Sequence, residues 1–264
     1  MQPDQSTRPC ILVCNDDGID ASGIAALAAA MVTLGDVYVI APVEEQSAVG
    51  HAISMRTPVR ARPWPFEIPG GNVQFAYAVG GTPADCVKIA VDKLIPRRPD
   101  IVVSGINHGA NTAVNVLYSG TVSAATEASI LGLPAVAFSL CGYRHGSDFG
   151  PAADVAISVV RAVLCSGLPP GVLLNVNVPA VTSSEIVGAM ITRQARARWE
   201  EEFVERFDPS NERYYWLSGR FVDLDTGSNT DLWAVANNYV SITPLHHDLT
   251  ANDAVAELSR VDWL

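Results

Sequence analysis

Apolar runs alternate with alanine-rich or helically periodic stretches along the first two thirds of the chain, and nearly every run stops at a polar turn. Ile11 to Cys14, Val37 to Ile40 and Asp100 to Ser104 predict buried strands, and Ala135 to Leu140 and Val172 to Val178, the last ended by Pro179, predict two more. Val73 to Val79 alternates and predicts a further strand. Between these runs, Gly23 to Leu34, Thr82 to about Leu94, Ala124 to Leu131 and Asp154 to Cys165 carry helical patterns. Thr82-Pro83-Ala84-Asp85 reads as a capping box, and Gly132 and Pro134 stop the third helix. Such alternation through residue 180 predicts an α/β core, residues 1–180, with a mainly parallel sheet and helices on both faces. Beyond Pro179 the texture changes to alternating, aromatic runs such as Tyr214-Tyr215-Trp216-Leu217 and Tyr239 to Leu245, which predict hairpins in a β-rich extension, residues 181–264. Exposed hairpin edges need cover, and a second subunit is a common source of it.

The strand ends carry the chemistry. The first strand runs into Asn15-Asp16-Asp17-Gly18, and in an open α/β sheet ligands bind where strands end. Two adjacent carboxylates repel unless a proton or a cation lies between them, and their oxygens favour hard cations such as Mg²⁺ or Mn²⁺. The competing reading is that Asn15 or Asp16 caps the next helix. Asn107 and Asn111 lie in the glycine-rich stretch after the 100–104 strand, where an amide oxygen can complete a carboxylate site or merely serve a turn. Ser119-Gly120-Thr121 precedes a helix and can either cradle an anion or cap that helix. Ser47, in the polar loop 43–57, is on local grounds only a turn serine. His108 is either a proton donor to a leaving group or an exposed loop histidine.

Composition narrows the classes. The 264 residues are 48% apolar and 17% charged, which excludes a disordered chain. The longest apolar run, Ile24 to Val32, is far short of the roughly 20 residues that cross a bilayer. Met1 to Pro9 lacks a signal-peptide pattern, and five cysteines without a CxxC pair read as free thiols of a reducing compartment, so a cytoplasmic protein is expected. A net charge of −11 argues against binding a nucleic-acid duplex. His51, His108, His145, His246 and His247 show no metal-binding spacing. No G-x-S-x-G elbow, Walker loop or G-x-G-x-x-G follows the first strand.

In order along the chain, Asn15-Asp16-Asp17-Gly18, Ala41-Pro42 leading to Ser47, Gly81 to Cys86, Ser104-Gly105-Ile106-Asn107, Tyr118 to Val122 and Tyr239 to Leu245 together closely resemble the SurE family of survival-protein nucleotidases. The resemblance implies a Rossmann-like core, a tail exchanged between subunits of a homodimer or homotetramer, and a phosphomonoesterase acting on nucleoside 5′- or 3′-monophosphates. It implies one divalent ion per subunit, Mg²⁺ or Mn²⁺, held at Asp16, Asp17, Ser47 and Asn107, with phosphate contacts at Asn111, Ser119, Gly120 and Thr121. Two departures stand out: Ala110 replaces a frequent proline, and Asn238 replaces a frequent glycine. Catalysis is expected to involve Asp16 or Asp17, either orienting water or attacking phosphorus. A metal-dependent nucleoside ribohydrolase and a non-catalytic nucleotide-sensing module are the competing classes.

Overall fold

The computed structural model describes residues 8–69, 71–142 and 147–263, so Met1 to Thr7 and His145 lie outside it. Eleven strands are assigned among these residues, and nine form one sheet. They are β1 (Cys10–Cys14), β2 (Asp36–Pro42), β3 (Arg60–Pro63), β4 (Phe75–Gly80), β5 (Ile101–His108), β6 (Ala135–Cys141), β7 (Val172–Pro179), β8 (Gly188–Ile191), β9 (Ala197–Phe207), β10 (Arg213–Asp223) and β11 (Tyr239–His246). The large sheet has the order β3-β4-β2-β1-β5-β6-β7-β11-β8. It is parallel from β4 to β7, with antiparallel pairings only at β3/β4 and β7/β11.

Alternation along the central strands sorts side chains into two apolar layers. Ile11, Val13, Val103, Phe138 and Val176 pack on one face with α1 (Ser22–Met31) and α4, the helix Gly150–Ser166. Leu12, Val102 and Ala137 pack on the other with α2 (Pro83–Ile89) and α3 (Gly120–Ile130). The expected α/β sheet with helices on both faces is therefore what forms. The capping box also forms: Thr82 Oγ1 accepts from the Asp85 amide at 3.1 Å, and the Asp85 carboxylate accepts from the Thr82 amide at 3.0 Å.

Several boundaries differ from the pattern reading. Strand β5 runs on through Gly105 to His108, across a register shift between Ser104 and Asn107, where the sequence suggested a loop. Gly105 permits this because its φ is +125° and a Cβ there would lie 2.3 Å from the Phe138 carbonyl oxygen. Helix α3 starts at Gly120, not Ala124, with Ser119 as its N-cap. Strand β3 has too few apolar positions to show a pattern. In the extension, β9 and β10 do form a hairpin, but Tyr239 to Leu245 does not. That segment belongs to β11, which inserts into the main sheet between β7 and β8, because Val240 and Ile242 have a core to join. The fold has α5 (Asp231–Ala236) and α6 (Asn252–Leu258) on either side of β11.

Candidate active site

From β1 the chain steps outward to β2 on one side, and the later strands β5, β6 and β7 fill the other. The β1/β5 boundary is thus a topological switch point, the place where an open α/β sheet leaves a crevice at its carboxyl edge. Asp16 and Asp17 follow β1 directly, and Asn107 is near the carboxyl end of β5. Residues remote in sequence share this edge because of strand order.

Asp16 does not cap the next helix. Helix α1 begins at Ser22 with Ala21 as N-cap and no side-chain cap, while the Asn15 amide closes its own turn onto the Gly18 carbonyl at 2.8 Å. Asp16, only 5% exposed, reaches instead to the start of α3. There the Thr121 hydroxyl donates to its Oδ1, and the backbone amides of Thr121 and Gly120 also hydrogen-bond the carboxylate. A Cβ on Gly120 would sit 2.6 Å from Asp16 Cβ and 2.8 Å from its Oδ2, so the close approach requires glycine. Burial pushes the Asp16 carboxyl up from the usual range, opposed by these donors.

Asp17 is half-buried, and its carboxyl is pushed up to about 6, first by burial and then by the charge of Asp16. The backbone amide of His108 opposes the shift, and Glu45 adds to it. Among the described residues, no cationic side chain contributes at either aspartate. The folded state thus holds a proton on Asp17 more tightly than the unfolded chain does. Stability from this group falls as pH rises from about 3.8 to about 6, and the loss is complete above that window. In chelator, Asp17→Asn is therefore expected to stabilise the fold at pH 7.5 by about 1–2 kcal/mol after discounting for partial exposure, read as a higher thermal midpoint, and to change stability little at pH 4. Thermal unfolding at the two pH values checks this, and equal shifts at both would refute it.

The Asn107 amide nitrogen donates to the Gly109 carbonyl at 2.8 Å, which fixes the side chain's orientation and leaves Oδ1 as the group to offer a cation. Ser47 is exposed in the loop after β2, and its hydroxyl donates to Glu45. The Gln46 amide donates to the Asp16 carbonyl at 2.8 Å and ties this loop to the aspartate turn. Among the described residues no three His, Cys, Asp or Glu side chains are grouped to hold an ion. The donors expected from the sequence, two carboxylates and the neutral oxygens of Asn107 and Ser47, make an all-oxygen set whose chemistry fits a hard divalent cation.

The residues expected at phosphate are placed differently from one another. Ser119 Oγ accepts from the Val122 amide at 3.1 Å, which leaves its proton to donate. Gly120 and Thr121 direct their donors to Asp16. Asn111 is nearly buried: its Nδ2 donates to Ser139 Oγ at 2.9 Å, and its backbone is held by Asn175 and Asn177 of β7. The His108 ring is directed to Ser147, 3.1 Å from Nε2, and meets Phe149 edge-on.

Pattern reading missed a second use of the capping box. Thr82 Oγ1 donates to the Ala52 carbonyl at 2.7 Å, and Asp85 Oδ1 accepts from the Ser54 amide at 2.9 Å. The start of α2 therefore anchors the far end of the Ser47 loop. A capping box accounts for Thr82 and Asp85 locally, so nothing in the sequence signals the extra bonds.

Comparison with known proteins identifies the family and the fold. The family model "Survival protein SurE" matches residues 11–201. A protein named 5′-nucleotidase SurE from Cytophaga hutchinsonii is 49% identical over 97% of this chain and 98% of its own length. One of the same name from Chlorobium phaeobacteroides is 46% identical, with 97% and 98% covered. The crystal structure of SurE protein from Aquifex aeolicus superposes with a TM-score of 0.82 at 38% identity, covering 96% of this chain and 99% of that one. With the model spanning most of the sequence and these relatives aligned along nearly all of it, the chain belongs to the SurE family.

Proposed function

We propose that this chain is a divalent-cation-dependent phosphomonoesterase that hydrolyses nucleoside 5′-monophosphates, with 3′-monophosphates as further substrates, to nucleoside and phosphate. The observation that carries the reading is the Asp16–Asp17 pair at the switch point, two crowded carboxylates that no cationic side chain among the described residues balances. The relatives' common name, 5′-nucleotidase SurE, supports the same chemistry and favours it over a ribohydrolase or a sensing module. Asp16, Asp17, Asn107 and Ser47 would hold the ion, Mg²⁺ or Mn²⁺. When bound, the ion supplies Lewis-acid polarisation of the phosphoryl group and acidifies water.

The two aspartates divide the work by their surroundings. Asp16, fixed by the Thr121 hydroxyl and two amides, is the immobile anchor. Asp17, less enclosed than Asp16 and met by the His108 amide, would hold the ion and orient the attacking water. Ser119 offers a hydroxyl proton to a phosphate oxygen, and Asn111 shapes the adjoining wall. Incubation of a nucleoside monophosphate with protein and Mn²⁺ should yield free phosphate and stop on chelation. Free base as the product would replace this reading with the ribohydrolase one.

The exposed apolar face of the β9–β10 hairpin, including Trp199, Phe203, Phe207 and Leu217, supports a homo-oligomer in which the extension meets a second copy. Light scattering should give the mass of a dimer or a tetramer. No helix among the described residues is long and apolar enough to cross a membrane, and cytoplasmic residence is part of the proposal.

A further inference from the structure

Beyond Val43 at its start, the loop 43–57 that carries Ser47 has little apolar anchorage, since Val49, Ile53 and Met55 are all exposed. Its order rests on polar ties. Several of these use the loop's backbone: Val43 to Val79 at 2.9 Å, Gln46 to Asp16, Gly50 to Tyr118 at 3.2 Å, and the Ala52 and Ser54 contacts to side chains at the start of α2. Another is of a different kind. His51 Nε2 lies 2.9 Å from Glu127 Oε2, and Lys88 Nζ lies 2.9 Å from the other oxygen of the same carboxylate.

Glu127 is on α3, less than two turns beyond Thr121, and its side chain is only 4% exposed. Burial alone pushes this carboxyl up, but the hydrogen bonds from His51 and Lys88 outweigh it and hold the group below the usual glutamate range. A buried carboxylate kept charged needs its partners, because an unpaired buried charge is costly. The Lys88 contact satisfies one oxygen from α2, and His51 is the partner that comes from the loop. Helix α3 thus carries the donors that fix Asp16 at its first turn and a charged anchor for the Ser47 loop further along.

We propose that Glu127 is a positioning residue that, through His51, holds the Ser47 loop in register with Asp16, so that the two sides of the cation site are set by one rigid helix. The proposal rests on the reading of Ser47 as a cation ligand. A tether of this kind raises affinity by ordering the loop before the ion arrives, without touching ion or substrate.

The test uses the full chain with Mn²⁺ as the probe. Amide hydrogen exchange over residues 43–57 and Mn²⁺ affinity by calorimetry are measured for wild type, His51→Ala, His51→Gln, Ser47→Ala and the Ser47→Ala/His51→Ala double variant. His51→Ala should speed loop exchange and weaken Mn²⁺ binding about tenfold, the lower end for loss of a supporting contact. His51→Gln, whose amide can still donate to Glu127, should recover most of both. Adding His51→Ala to Ser47→Ala should cost no further affinity, because the tether acts through Ser47. Unchanged exchange in His51→Ala, or fully additive losses in the double variant, would overturn the proposal. Phosphate release is read separately. If affinity follows His51 as described while wild type releases no phosphate, the nucleotidase reading fails and the tether stands. If wild type releases phosphate while exchange and affinity ignore His51, the tether fails alone. Wild type that binds no Mn²⁺ would contradict both.

Discussion

Asp16→Asn is expected to lower phosphate release by at least about a hundred- to thousandfold, the scale on which losing one essential electrostatic contact acts, while the protein stays folded. Asparagine keeps the shape of the side chain, and its oxygen can still accept from Thr121. Its NH₂ group then meets the Gly120 amide, donor against donor, and the charge that attracts the cation is gone. Stability should not fall with activity. Burial already disfavours the charged form of Asp16, so neutralising it removes a cost as well as a set of charge-assisted hydrogen bonds. Phosphate release and thermal unfolding of the same preparation check both halves. Activity within tenfold of wild type would remove Asp16 from the site.

Gly120→Ala is expected to damage stability and activity together. The added methyl would lie 2.6 Å from Asp16 Cβ and 2.8 Å from its Oδ2, and neither the sheet edge nor the first turn of α3 has slack to absorb it. Overpacking of this kind costs about 1–3 kcal/mol, and the relief available is displacement of the aspartate that anchors the site. The stability penalty should shrink when Gly120→Ala is made in an Asp16→Gly background, since the atoms in conflict are gone. An equal penalty in both backgrounds, measured by denaturant unfolding, would show that the methyl clashes elsewhere.

Strands β1, β5 and β6 were legible because they are largely buried on both faces and open on apolar runs, and β7 because apolar residues flank its buried Asn175 and Asn177. The capping box at Thr82 was legible because its signals are local. The fate of Asp16 was not. Its partners belong to a helix more than a hundred residues further on, and only the placement of β1 beside β5 brings them together. Local pattern therefore left cation site and helix cap as rivals, which the start of α1 at Ser22 separates. The reach of β5 to His108 was hidden by Gly105, which reads as a loop residue yet serves a bulged strand passing close to β6. Strand β11 was misread as part of a hairpin because alternation shows a half-buried strand without naming its neighbour. Glu127 gave no signal at all, since a glutamate in a small-residue helix looks solvent-facing until α2 and the 43–57 loop close over it.

The measurement closest to the central claim is phosphate release from a nucleoside 5′-monophosphate by wild type and by Asp16→Asn, each with Mn²⁺ and again after chelation. The account predicts release by wild type with Mn²⁺, none after chelation, and almost none from the folded variant under either condition. Release that survives chelation, or that the Asp16→Asn variant sustains, would contradict it.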